Sequence, residues 1–152
     1  MGEKLGLNVL MSAEFAFKDS PNHYLVYGID KKFLDLYPDI VNMDIEEFSI
    51  KAKKHNLFIV QAHPYRDGTN SPTPEFADAV EAVNTNPRHE NFESKCFELA
   101  KKYSLPATAG SDSHRTEDIA GCGILTETEI KTPQDYIQLI KSGNFKIFKS
   151  EE

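Results

Sequence analysis

Residues 57–66 read LFIVQAHPYR. Leu57 to Gln61 form an almost unbroken apolar run, the pattern of a strand buried on both faces. The run stops at His63-Pro64, because a proline cannot continue a central ladder. An imidazole therefore stands where a buried strand ends. The loop that follows, 65–74 (YRDGTNSPTP), is dense in turn residues.

The same alternation recurs on both sides. Asn8 to Met11 is a short apolar run read as a strand, with Ser-Ala-Glu at its end. His23 to Ile29 (HYLVYGI) is rich in aromatic and β-branched residues and reads as a strand closed by Gly28 and Asp30. Asp44 is placed to cap a helix, and Glu46 and Glu47 suit its dipole. Ile45, Phe48 and Ala52 give it helical spacing as far as about His55. Ala79 to Val83 (AVEAV) is the next strand. Phe92, Cys96, Leu99 and Ala100 mark the apolar stripe of a long helix. Pro106 to Ala109 is a strand running into Gly-Ser-Asp-Ser-His. Ile119 to Leu125 holds a further short strand. Thr132-Pro133 opens a helix that Gly143 stops, and Phe145 to Phe148 is a last strand. Strands separated by helices predict an α/β fold with a largely parallel sheet or barrel portion. Functional residues are then expected at the carboxyl ends of the strands.

The chain has 152 residues, a length that suits one domain and is too short for a complete eight-fold β/α barrel. Lys and Arg number 17 against 24 Asp and Glu, and the net charge of −7 disfavours polymeric nucleic acid and anionic membrane as partners. The two cysteines, Cys96 and Cys122, form no C-x-x-C pair, so neither a disulfide scaffold nor a thiolate zinc site is supported. With no leader-like or membrane-spanning apolar run, the expected compartment is the cytoplasm. G-x-S-x-G, P-loop and dinucleotide fingerprints are missing from the sequence.

Several candidate ligands fall where strands end or begin. Glu14 follows NVLMSA, His23 opens a strand, His63 follows LFIVQA, and Asp112 and His114 follow PATAGS. Parallel strands would gather these on one rim, where imidazoles and carboxylates make a site for a divalent metal such as zinc, manganese or iron. In Asp112-x-His114 both side chains can aim the same way if the segment is extended. A single histidine at a strand end is ordinarily a hydrogen-bonded loop residue, so the metal reading rests on the combination. His55 and His89 read as capping or solvent-facing groups, the cysteines as small buried hydrophobes, and Phe17 and Tyr65 as packing residues near the rim.

The segments SAEFAFKD, HYLVYGID, FIVQAHPYR, VEAVNTN and TAGSDSH resemble the polymerase and histidinol phosphatase (PHP) superfamily, in family order from about Leu7 to Phe148. The resemblance implies a metal-dependent phosphoesterase on a distorted β/α barrel with a multinuclear centre. It places Glu14, His23, His63, Asp112 and His114 at metal-ligand positions. Arg66 and Arg115, adjacent to ligands, are candidate catalytic residues that could hold a substrate phosphate, since guanidinium binds phosphate bidentately; a loop salt bridge is the competing reading. Asn84 and Asn86 could line the rim or serve as turn residues. The family's opening H-x-H strand and its Asp-His pair have no counterpart. The chain is therefore expected to be a single PHP-like domain over 1–152 without its amino-terminal strands, an incomplete barrel. Glu14, His23 and His63 could hold one metal, and a position near Asp112 and His114 would be underfilled.

Two functions remain open on this basis. One is hydrolysis of a small phosphomonoester or nucleotide through a metal-bound hydroxide. The other is a non-catalytic PHP remnant that binds a metal or serves as an interaction module. Exposed sheet edges in an incomplete barrel also predict self-association into a homo-oligomer.

Overall fold

The computed structural model describes residues 2–18, 20–68, 70–119 and 121–150. A five-stranded sheet has the spatial order β1 (Ser12–Ala16), β2 (His23–Tyr27), β3 (Phe58–Ala62), β4 (Ala79–Asn84), β5 (Ala107–Gly110). Sequence order and spatial order coincide. The first two pairings, β1–β2 and β2–β3, are antiparallel, and the next two, β3–β4 and β4–β5, are parallel. A separate antiparallel pair joins β6 (Cys122–Leu125) and β7 (Lys146–Lys149).

The α/β class holds, but the sheet is mixed rather than largely parallel, and among the described residues it does not close into a barrel. The reason lies in the connections. Residues 17–22 between β1 and β2 are too few for a helical crossover, so this pair must be antiparallel. Between β3 and β4 a loop with two short 3-10 turns makes the parallel crossover without an α-helix, and α3 (Glu93–Tyr103) links β4 to β5.

The two faces of the sheet are covered differently. On one face α1 (Lys31–Leu36) and α2 (Ile45–Lys54) bring Phe33, Phe48 and Ala52 against Tyr24, Val26 and Ile59. Farther along, α3 packs Leu99 and Ala100 against Val80. On the opposite face α4 (Pro133–Ser142) lays Ile137 and Ile140 on Phe58, Val60 and Ala79. That face carries Glu14 and His23 as well, because strand residues alternate between faces and Glu14 pairs with Leu25, Ala16 with His23.

The helix ends match the cap chemistry of the sequence. Asp44 accepts the Glu47 N–H, and Thr132 and Asp135 exchange a reciprocal cap over Pro133. Gly143 ends α4 at φ 69, where a side chain would be strained. Two expectations need correction. The strand expected at Asn8 to Met11 lies later, at Ser12–Ala16, and Leu7, Val9 and Met11 are exposed. The strand expected to reach Ile29 ends at Tyr27, and Asp30 caps α1 by accepting the Phe33 N–H. A side chain read as a strand stop is a helix start.

Candidate metal centre

Direction and register bring five strand ends to one rim. The carboxyl ends of β1, β3, β4 and β5 lie there, together with the start of β2, because His23 pairs with both Ala16 and Ala62. Glu14, His23 and His63 converge at this rim, with potential ligand atoms all within 4.8 Å of one another. Glu14 Oε1 is 3.0 Å from His23 Nδ1 and 3.7 Å from His63 Nε2. The two rings meet edge-on with centroids 5.2 Å apart.

His63 is the buried member, only 2% exposed, and its backbone takes the left-handed conformation at φ 30. Positive φ is uncommon for a residue with a side chain and collects at functional sites. The turn is held from below. Glu81 Oε2 accepts the His63 backbone N–H at 3.1 Å and an Asn84 N–H at 2.9 Å. Among the described residues, neither ring nitrogen of His63 has a hydrogen-bond partner. A buried imidazole left in this way calls for a water, a ligand or an ion to satisfy it.

The electrostatics agree with a ligand set. The hydrogen bond with His23 and the nearby His63 ring hold the Glu14 carboxyl well below its ordinary range. Burial, assisted by the nearby Arg66 charge, lowers the His63 pKa, although Glu14 opposes the shift. The set therefore offers a carboxylate and a readily neutral imidazole, the forms that bind a divalent cation. One carboxylate oxygen and two imidazole nitrogens suit zinc, manganese or iron. Glu14, Leu25, Ala62, His63, Glu81, Asn84, Gly110 and Asp112 line an adjoining cleft of about 150 Å³.

The other sequence-derived candidates are placed differently. Asp112 reaches the cleft, but its carboxylate takes an ion pair from Arg66 and an N–H from Asn86 at 3.1 Å. Burial works to raise its pKa, yet the hydrogen bonds from Arg66 and Asn86 outweigh burial and lower it. Asp112 sits at φ 48, so the segment is not extended as expected, although His114 Nδ1 still lies 3.4 Å from Asp112 Oδ1. His114 is 65% exposed, and its Nδ1 lies 3.0 Å from the Asp112 carbonyl. Arg66 is thus in a salt bridge at the rim, whereas the Arg115 side chain is exposed and lies 4.0 Å from Glu117. His89 pairs with Asp67 at 2.7 Å, and His55 caps α2 while its ring packs edge-on against Phe33. Phe17 and Cys96 are buried as expected, and Tyr65 packs against the Val80 cluster.

Four supporting residues escaped the sequence reading. Glu81 is one, although a charge inside the buried run AVEAV is itself a signal, since a buried carboxylate must have partners. Gly110 is another, because a Cβ there would collide with Glu81 Oε1. Arg88 and Asp118 form a two-point pair at 3.1 and 2.7 Å. Asp118 also accepts the backbone N–H groups of His114 and Arg115, which fixes the loop after Asp112. Asn84 and Asn86 are both rim residues and turn residues: each accepts a backbone N–H two positions on.

Fold and site together define an α/β domain with a two-histidine, one-carboxylate candidate metal centre at a strand rim. Residues 89–145 match the profile of a family described as PHP-associated. The match covers the Asp112–His114 loop but not Glu14, His23 or His63. No curated protein matches the sequence. Among solved structures, PsfC from Pseudomonas syringae is similar at 17% identity and a TM-score of 0.65, over 91% of this chain and 58% of PsfC. A protein from Bifidobacterium adolescentis, provisionally assigned as a metal-dependent phosphoesterase, is similar at 15% identity and a TM-score of 0.53, over 93% of this chain and 78% of that protein. The chain thus spans little more than half the length of PsfC, and at these identities the likeness concerns the fold.

Proposed function

We propose that this rim binds a divalent metal through Glu14, His23 and His63 and serves the hydrolysis of a small phosphomonoester or nucleotide. The observation that carries the proposal is His63: buried, with both ring nitrogens unpartnered among the described residues, and facing a carboxylate and a second imidazole. When bound, a metal here would supply an acidified water and neutralise phosphoryl charge.

The chain's own residues do the rest. Glu14 Oε1 orients the His23 ring at 3.0 Å and faces His63 Nε2 at 3.7 Å. Glu81 anchors the peptide of His63 and so sets the direction of its ring. Arg66 contributes a positive charge at the rim that favours an anionic substrate group. The small volume of the cleft favours a phosphate group over a polymer, and the net charge of −7 points the same way. The similarity to the B. adolescentis protein supports the reaction class. No described helix is long and apolar enough to cross a membrane.

Metal analysis of the purified chain, combined with p-nitrophenyl phosphate hydrolysis in added Mn²⁺ or Zn²⁺, tests this reading. Bound metal and metal-dependent turnover are expected. Neither metal nor turnover would leave the non-catalytic alternative.

A further inference from the structure

Asp112 and Glu14 line the same cleft, but only Glu14 keeps company suited to a metal. Asp112 Oδ2 receives three N–H donors: the Arg66 guanidinium, Asn86 Nδ2 at 3.1 Å and Asn84 Nδ2 at 3.4 Å. These donors compete with a cation for that oxygen. Its other oxygen faces His114 Nδ1 at 3.4 Å. His114, the second would-be ligand on this side, turns its ring to solvent and lies against the Asp112 carbonyl.

The guanidinium is held in place. Arg66 opens a 3-10 turn directly after the His63-Pro64 corner, and its N–H bonds to the His63 carbonyl at 3.0 Å. The neighbouring residue Asp67 ties that turn to the loop after β4. Its backbone N–H donates to the Glu90 carbonyl at 2.8 Å, its Oδ1 accepts the Glu90 N–H at 2.9 Å, and its carboxylate pairs with His89. Arginine does not deprotonate in proteins, so its charge at Asp112 is permanent and repels a second divalent cation. The side chain of Asp112 is only 11% exposed, which limits screening of that repulsion by water.

We propose that this chain binds a single metal ion and that Asp112 is the fixed partner of Arg66 rather than a metal ligand. The inference rests on the metal reading of Glu14, His23 and His63. It departs from the multinuclear centre that the family resemblance implies, because the second position is already neutralised by a side chain.

The test is a Mn²⁺ titration of the intact chain, followed by equilibrium dialysis and electron paramagnetic resonance, with wild type, Asp112→Asn and His63→Ala. Wild type is expected to take up one Mn²⁺ per chain with an uncoupled six-line spectrum. Asp112→Asn is expected to keep one Mn²⁺, with a Kd within threefold of wild type, while His63→Ala takes up none. Two Mn²⁺ per wild-type chain, an exchange-coupled spectrum, or a larger loss of affinity in Asp112→Asn would overturn the inference. No Mn²⁺ in wild type would instead defeat the metal reading beneath it. The wild-type count and spectrum decide the matter even if Asp112→Asn does not fold.

Discussion

His63 carries two costs that the surrounding fold must offset: a left-handed backbone and a buried ring without hydrogen bonds among the described residues. Glu81 meets the first by accepting the His63 N–H, and a bound metal would meet the second. Replacing His63 by alanine is expected to weaken metal binding at least about a hundredfold, read by calorimetric titration, since one of only three protein ligands is lost. Unchanged affinity would refute the assignment. Glu81 makes a separate, pH-dependent prediction. Burial pushes its pKa from 4.5 up to about 7, against the pull of Asn84 and the His63 N–H. A carboxyl with a raised folded pKa adds stability below pH 4.5 and loses it as pH rises through about 7. The full loss is of the order of 3 kcal/mol. Metal-free wild type should therefore lose thermal stability relative to Glu81→Gln across that window. Parallel melting curves for the two proteins would contradict this.

At the scale of the elements, the end of β5 is the most constrained point. Gly110 pairs with Asn84 and leaves the space that Glu81 Oε1 fills. Gly110→Ala is expected to destabilise the fold by about 1–3 kcal/mol through overpacking, and to weaken metal binding through the displaced Glu81. Denaturant melts and metal titration of that variant check both effects, and a variant as stable as wild type would show that the strand end can yield. The elements also show what the sequence could reveal. The α2 and α4 boundaries were legible because Asp44, Thr132, Pro133 and Gly143 act through local hydrogen bonds and local φ values. The convergence of Glu14, His23 and His63 was legible as residue types at strand ends. Strand direction was not legible, because it depends on how residues 17–22 and 63–78 route the chain. The bend in the chain between Asp112 and His114 was hidden as well. It follows from the φ of 48 at Asp112 and from the grip of Asp118 on the next two N–H groups, both set by tertiary contacts.

Across the whole molecule, the sheet is covered unevenly. Among the described residues β1 pairs only with β2, and Leu5, Leu7, Val9 and Met11 beside it are exposed. An open edge flanked by apolar side chains favours pairing with another chain. We therefore propose self-association through this edge. The mass from light scattering should rise with concentration, and Val9→Lys should reduce that rise; a concentration-independent monomer would count against it. The candidate metal centre lies on the same sheet face as α4 but toward the β1 side, so the convergence of Glu14, His23 and His63 depends on β1 staying in register with β2. The most direct test of the account is anomalous diffraction from crystals of the chain soaked in Mn²⁺. It predicts one peak within about 2.0–2.3 Å of a Glu14 oxygen and of one ring nitrogen each from His23 and His63. No peak between these three residues, or a peak seated on Asp112 and His114 instead, would contradict it.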